Sequence, residues 1–204
     1  MANTLRRLGI GARQHAGLLR LDAPNPSFLD CYLPLAQKLF EMRDSQPEGL
    51  IVGFTSIARG EGVSHVVASL ARKLVEHTWE QVLLTTSADL ASAPGVRFDD
   101  SAHLQRLIRP GSFPARNLHW EDLQALRQRF GFVLVDCPAM RVAPSMFTLA
   151  NLCDTAVLVV AAGEAKRSEI ENAQKFLKAS SVKLLGTVLN KQVDPIPEFI
   201  SKVL

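Results

Sequence analysis

The 204-residue chain has little of what disulfide-stabilised, membrane-spanning or metal-binding proteins need. Its three cysteines (Cys31, Cys137 and Cys153) are odd in number and lack metal-ligand spacing, so we expect buried, reduced thiols. No run of about 18 apolar residues occurs, which excludes a membrane-spanning helix. The N-terminus lacks the apolar core and cleavage site of a secretory signal. These features together predict a cytoplasmic protein.

The net charge of the chain is concentrated in its first residues. Residues 1–26 carry four arginines and one aspartate, which leaves 19 basic and 19 acidic side chains for residues 27–204. A neutral domain offers no basic face for nucleic acid, so no nucleic-acid partner is expected. Residues 1–26 are predicted to be a basic flexible N-terminal arm. Residues 1–22 of this arm either contact anionic lipid, at about 1 kcal/mol per basic residue, or are simply solvated.

From residue 27 onward, short apolar runs alternate with amphipathic segments. Strands are predicted at 50–55, 81–85, 132–136, 155–160 and 183–189, and helices at 27–44, 63–77, 120–129, 144–152, 166–179 and 195–204. Residues 86–118 are predicted to be loop with one short helix near 101–109. Strands that are apolar on both faces and separated by helices indicate a three-layer α/β fold, with a mostly parallel sheet covered by helices on both faces. We expect residues 27–204 to form one such domain.

Residues 55–65, Thr-Ser-Ile-Ala-Arg-Gly-Glu-Gly-Val-Ser-His, lie between the first predicted strand and its helix. Gly60 and Gly62 allow successive backbone N–H groups to face an anion at the positive end of that helix. A phosphate-binding loop of this type continues with Lys and Ser or Thr. Here Val63 stands in the lysine's place, while Ser64 keeps the hydroxyl. A purely structural turn is the alternative interpretation.

Two further predicted strands end in polar side chains. Asp136 closes the run Phe-Val-Leu-Val-Asp, where a carboxylate orients Mg²⁺ or its water in P-loop enzymes. A helix or turn cap is the other interpretation of Asp136. Asn190 follows the last strand, where its amide is able to pair with a base edge. Ligands of parallel sheets bind where loops leave the carboxyl ends of strands, so these residues are expected to share one site with the loop.

In these segments the chain from Ser27 to about Lys191 resembles the bacterial tyrosine kinases of capsule and exopolysaccharide export, and more distantly the MinD/ParA ATPases. Residues 51–62 are similar to the family's entry to Walker A, and residues 130–138 to its Walker B. The resemblance implies a P-loop NTPase-like fold and ATP or ADP with Mg²⁺ as cofactors. It implies nucleotide-binding positions at Arg59, Gly60, Glu61, Gly62, Val63, Ser64, His65 and Asn190. Ser64 and Asp136 are the implied Mg²⁺ ligands, with Asp136 catalytic if the protein is active.

The departures from the family pattern concern catalysis. Val63 replaces the Walker A lysine, and His65 stands where Thr is usual. Thr86 occupies the first Asp position of the family's second acidic motif, and Asp89 matches that motif only if one residue is inserted. The tyrosine-rich tail of the family is missing, and Tyr32 is the chain's one tyrosine. These departures indicate a degenerate member of the family.

The leading hypothesis is therefore a non-catalytic regulatory or scaffolding partner of a membrane-embedded polysaccharide export or chain-length-control protein, working at the inner face of the membrane. One alternative is an ATP-binding tyrosine kinase or ATPase with a non-standard P-loop, in which Arg59 or a partner's residue replaces the lysine. Another is a MinD/ParA-like positioning protein. The resemblance also leaves a homodimer open.

Overall fold

The computed structural model describes residues 30–90, 97–98, 104–108, 120–142, 153–180 and 183–192. The elements in chain order are a 3₁₀ turn (Asp30–Tyr32), α1 (Leu33–Asp44), β1 (Leu50–Ser56), α2 (Val63–His77), β2 (Val82–Thr86), α3 (Ser87–Leu90), β3 (Arg97–Phe98), β4 (Leu104–Ile108), α4 (Trp120–Arg129), β5 (Phe132–Asp136), β6 (Thr155–Ala161), α5 (Arg167–Ala179) and β7 (Lys183–Asn190). The predicted arm and the predicted helices at 144–152 and 195–204 lie outside the described residues. No described helix combines the length and hydropathy needed to cross a membrane.

The strands form one sheet in the order β3-β4-β2-β5-β1-β6-β7. The pairings from β4 to β7 are all parallel, and only β3 runs antiparallel to its neighbour among the described strands. The prediction of a mostly parallel sheet is confirmed. The five predicted strands are all present, with bounds that shift by one residue at most.

The short helix predicted near 101–109 is wrong, because residues 104–108 form strand β4. Leu104, Leu107 and Ile108 have the spacing of one helix face, which is why the local pattern predicted a helix. The segment instead pairs in parallel with β2, from Val82 opposite Leu104 to Leu84 opposite Arg106. Pairing with a distant strand outweighs a weak local preference in a segment this short.

The core consists of two apolar layers, one on each face of the sheet. Alternate side chains of β1, such as Val52 and Phe54, pack with α1 and α2 in the first layer. Ile51, which precedes Val52, packs with α4 and α5 in the second layer. Because side chains of a strand point to opposite faces in turn, a strand that is apolar throughout serves both layers. The three-layer arrangement therefore follows from the uninterrupted apolar runs in the sequence.

Helix α1 begins at Leu33, later than the predicted Ser27. Pro34 occupies one of its first two positions, where the missing N–H costs no helical hydrogen bond. Residues 27–29 lie outside the described part of the chain. Helix α1 packs on the sheet through Phe40, whose ring meets that of Phe132 edge to face at a centroid distance of 5.6 Å.

A bidentate ion pair between Arg127 of α4 and Asp154, just before β6, stabilises the amino-terminal edge of the sheet. The guanidinium donates to both carboxylate oxygens at 2.7 and 2.8 Å, and it also donates to the Gly49 carbonyl at 2.8 Å. The same carboxylate accepts the backbone N–H of Ile51 at 2.7 Å. Both side chains are largely buried, with exposures of 10% and 22%. The pair thus ties α4, the start of β1 and the start of β6 together.

Replacement of Arg127 by Ala is expected to lower the free energy of unfolding by about 3 kcal/mol, because it leaves a largely buried carboxylate without its partner. Urea denaturation followed by circular dichroism measures this loss. Arg167→Ala is the matched control, since Arg167 pairs with Glu171 at 2.9 Å while 92% of its side chain is exposed. Equal midpoints for the two variants would contradict the structural role given to Arg127.

Candidate functional site

The main candidate site is a cleft at the carboxyl edge of the sheet, above the adjacent strands β2, β5 and β1. Its volume is about 430 Å³. It is lined by Ser56, Arg59, Gly60, Gly62, Val63, Ser64, Thr86, Ser87, Ala88, Asp136, Cys137, Pro138 and Ala139. The predicted loop and the predicted carboxylate therefore lie in one cavity, at the edge where parallel sheets bind ligands.

The loop between β1 and α2 has the backbone shape of a phosphate-binding loop. Gly60 and Gly62 have φ angles of +86° and +89°, a left-handed conformation that other residues rarely adopt. Gly62 stands directly before α2, and its carbonyl accepts the first helical hydrogen bond from Val66 at 3.0 Å. The N–H groups of the first turn of α2, which have no acceptor within the helix, therefore border the cleft, as they do in helices that bind anions.

Val63 opens α2 at the position where phosphate-binding loops carry lysine. Its side chain is 8% exposed and belongs to the apolar layer that α1 and α2 form on the sheet. It contributes a hydrocarbon wall to the cleft and no positive charge. Attraction for an anion at this point is left to the loop amides and the end of the helix, equivalent to about half a unit charge.

Ser64 and Asp136 meet across the cleft. The Ser64 hydroxyl donates to Asp136 Oδ2 at 2.5 Å, so the helix side and the β5 side are joined directly. Burial raises the pKa of the Asp136 carboxyl above its ordinary value, and the hydrogen bond from Ser64 offsets part of that increase. These are the two residues predicted to hold Mg²⁺, and the structure brings them within contact of each other.

Thr86 ends β2 and serves as a cap for the short helix α3. Its hydroxyl accepts the backbone N–H of Asp89 at 3.1 Å and donates to the Asp89 carboxylate at 2.7 Å. This is the hydrogen-bonding role of Thr at a helix N-cap. Asp89 is turned toward Thr86 and does not line the cleft. Among the described lining residues, Asp136 supplies the only carboxylate.

Three predicted site residues lie beside the cleft but do not line it. His65 is exposed on the first turn of α2. Glu61 is 2% exposed, and its carboxylate accepts the backbone N–H of Ala58 at 2.9 Å. Asn190, predicted to pair with a base, is 9% exposed and donates its side-chain amide to the Glu61 carbonyl at 2.8 Å. The structure thus places Glu61 and Asn190 in contact with the loop itself.

Arg59 is the one lining residue with a positive side chain in the described part of the cleft, and it is exposed at the rim. Sequence reasoning did not single out Ser56, Ser87, Ala88, Pro138 or Ala139 as lining residues. All five residues lie at the end of β1, β2 or β5 or within three residues after it, close to residues that the sequence analysis had already discussed. Their neighbourhood depends on the order β2-β5-β1, which no local pattern specifies.

The cysteines are partly as predicted. None of the three, which all lie in the described part of the chain, forms a disulfide. Cys137, next to Asp136, is buried, and burial raises the pKa of its thiol. Cys153 is half-buried, whereas Cys31 is exposed and corrects the expectation that all three are buried.

Comparison with known proteins gives one consistent set of relatives. The tyrosine-protein kinase CpsD of Streptococcus agalactiae serotype Ia is 23% identical over 188 aligned positions, covering 76% of this chain and 80% of the relative. A CpsD tyrosine-protein kinase of Streptococcus pneumoniae serotype 4 is 33% identical over 69 positions, which cover 34% of this chain and 30% of that protein. No family model matches the chain.

Solved structures share the fold. The kinase domain of VpsO superposes with a TM-score of 0.61 at 19% identity and covers 82% of this chain and 95% of that domain. The kinase domain of the Escherichia coli tyrosine kinase ETK gives 0.56 at 17% identity, with coverages of 90% and 87%. MinD of Pyrococcus horikoshii, solved with Mg-ADP, gives 0.53 at 16% identity, with coverages of 76% and 77%. The P-loop NTPase-like fold predicted from the sequence is confirmed.

Asp136→Asn is expected to stabilise the protein more at neutral than at acidic pH. A carboxyl whose folded-state pKa is raised stabilises the fold fully below its ordinary pKa, and that contribution is lost as pH rises through the raised value. Asn has the same shape, stays neutral, and is able to accept the Ser64 hydrogen bond. Denaturation at about pH 4.5 and pH 7.5 measures the difference. A benefit that is larger at the acidic pH would contradict the raised pKa.

Proposed function

Since the chain is a P-loop relative of the bacterial tyrosine kinases, we propose that it acts without catalysis, as a regulatory or scaffolding subunit in polysaccharide synthesis and export. The observation that carries the proposal is Val63, an apolar side chain packed into the core where the phosphate-binding lysine is required. The fold and the loop shape are retained, while the charge needed for phosphoryl transfer is missing.

The metal side of the cleft supports the same conclusion. Magnesium sites that act on nucleotides use carboxylates together with the loop hydroxyl and the phosphates. Here Asp136 is the only carboxylate among the described lining residues, because Thr86 caps α3 and holds Asp89 away from the cleft. Phosphoryl transfer depends almost wholly on positioning and electrostatic stabilisation. The lining residues that the structure describes therefore do not fit a Mg-ATP centre that performs this reaction.

The tyrosine content is also unfavourable for autophosphorylation. Tyr32 is the one tyrosine in the chain, and it is 4% exposed beneath the start of α1. Burial raises the pKa of its hydroxyl to about 12, and a hydrogen bond with Ser69 of α2 offsets part of this increase. A hydroxyl in this position cannot enter the active site of another kinase molecule while the protein is folded.

We place the partner of this subunit in the membrane, as a polysaccharide export or chain-length-control protein. The relatives are tyrosine-protein kinases, which supports the kinase relationship, and the polysaccharide context comes from the family resemblance. The basic arm of residues 1–26, with a net charge of +3, suits the anionic inner face of a membrane. The single domain of residues 27–204 would then carry the protein contacts.

Calorimetric titration with ATP or ADP and Mg²⁺ tests the proposal on wild type and on Val63→Lys. The added ammonium supplies a charge-assisted hydrogen bond of roughly 1.5–3 kcal/mol, so nucleotide affinity should rise about ten- to a hundredfold. Val63→Met is the matched control, because it adds length at the same position without charge. We expect wild type and the Met variant to bind equally weakly, and none of the three proteins to hydrolyse ATP.

Two results would contradict the proposal. One is wild-type affinity equal to that of Val63→Lys, which would mean that another group already replaces the lysine. The other is ATP hydrolysis or autophosphorylation by the wild-type protein that Asp136→Asn abolishes. The second result counts only if the activity is lost in Asp136→Asn, because the activity of a contaminating ATPase would be unaffected by this substitution.

An ATP-dependent kinase or ATPase is the second candidate function, and Arg59 is the observation that favours it. Arg59 is exposed at the rim of the cleft beside Gly60 and is one of the residues that line it. On this alternative, Arg59→Ala abolishes nucleotide binding, while Arg167→Ala, which removes an exposed arginine from α5, does not. Equal affinities of wild type and Arg59→Ala would eliminate the alternative.

A further inference from the structure

The phosphate-binding loop is held by hydrogen bonds from side chains of its own residues. The carboxylate of Glu61 turns back and accepts the N–H of Ala58 at 2.9 Å. Ser56 fixes the same residue from the other side, by donating its hydroxyl to the Ala58 carbonyl at 2.8 Å. Loops usually satisfy such backbone groups with solvent or ligand. This loop satisfies them with its own residues.

Glu61 is costly to bury and is therefore informative. A carboxylate that is 2% exposed destabilises a protein unless hydrogen bonds compensate for its lost hydration. The bond to Ala58 supplies such compensation only if the loop keeps its present shape. Any opening that separates residues 58 and 61 would leave a buried carboxyl group without this hydrogen bond. The loop geometry is thus coupled to the burial of its own acidic residue.

Asn190 connects this loop to the far strand of the sheet. Its side-chain nitrogen donates to the Glu61 carbonyl at 2.8 Å. Its backbone carbonyl accepts the N–H of Ala162 at 2.8 Å, and Asn190 pairs with Ala161 at the end of the β6–β7 ladder. Asn190 is therefore hydrogen-bonded into the sheet through its backbone and is not a loop residue.

Close packing adds to the hydrogen bond. A Cβ atom at Gly62 would collide with the side-chain nitrogen of Asn190. Gly62 is therefore required twice, once for its φ angle of +89° and once for this approach. The loop backbone lies directly against the amide of Asn190, with no space for either to shift toward the other.

We propose that Asn190 is a positioning residue, which, together with Glu61, keeps the phosphate-binding loop in one shape without lysine, nucleotide or metal. The loop is then a permanent part of the protein surface and does not open and close with ligand. The proposal concerns the loop alone and holds whether or not the cleft binds nucleotide. Its failure is therefore distinguishable from failure of the proposed function.

Amide hydrogen exchange of the full chain tests the proposal at Ala58, whose N–H is bonded to Glu61. In wild type without ligand this amide should be protected. Asn190→Ala should accelerate its exchange about tenfold or more, the effect of losing one supporting hydrogen bond. The amide of Val159, in the middle of β6, should keep its wild-type rate.

Asn190→Asp is a second variant, which keeps the size of the side chain but presents no donor to the Glu61 carbonyl. It should accelerate the hydrogen exchange of the Ala58 amide as Asn190→Ala does. Gln174→Ala is the matched control, since it removes a different side-chain bond to β7, from Gln174 to Thr187 at 3.1 Å. It should leave Ala58 unchanged. If a variant is less stable overall, the ratio of the Ala58 rate to the Val159 rate decides. An unprotected Ala58 in wild type, or an unchanged ratio in both Asn190 variants, overturns the proposal.

Discussion

The placement of β1 between β5 and β6 is the constraint on which the rest of the structure depends. Its backbone pairs in parallel with both neighbours, so its two ends are fixed by the centre of the sheet. At its start, Arg127 and Asp154 hold Ile51 and the elements on either side. At its end, the chain turns into the glycine loop and α2. The glycine loop therefore begins at the end of a strand that is paired on both sides.

Under the proposed function, the cleft keeps the backbone of a phosphate-binding loop without the lysine that acts on the phosphates. The features present are those that the core or backbone needs, namely Gly62 against Asn190 and the apolar run that ends at Asp136. Position 63 does not carry the lysine that only a charged ligand would need. Val63 adds apolar area to the layer of α1 and α2, which an ammonium group would not. Packing and catalysis make different demands on one position, and here packing is satisfied.

Much of the fold was predictable because each of the five predicted strands is an apolar run with helical segments around it in the sequence, and this pattern is local. The bounds of α2 and β5 agree with prediction for that reason. Strand β4 was not predictable, since its stability comes from pairing with β2 and not from its own five residues. In the site, Gly60, Ser64 and Asp136 follow from motifs. The contact of Asn190 with Glu61 spans 129 residues, and only the three-dimensional order of strands reveals it.

The cap formed by Thr86 and Asp89 has a consequence for any acidic residue at position 86. An aspartate there would stand beside the carboxylate of Asp89, and the N-cap hydrogen bond now joining the two residues would be exchanged for repulsion between like charges. A second carboxylate at the end of β2 therefore requires changes at both positions. Both side chains stabilise the start of α3, so a change at either one also has a cost for folding.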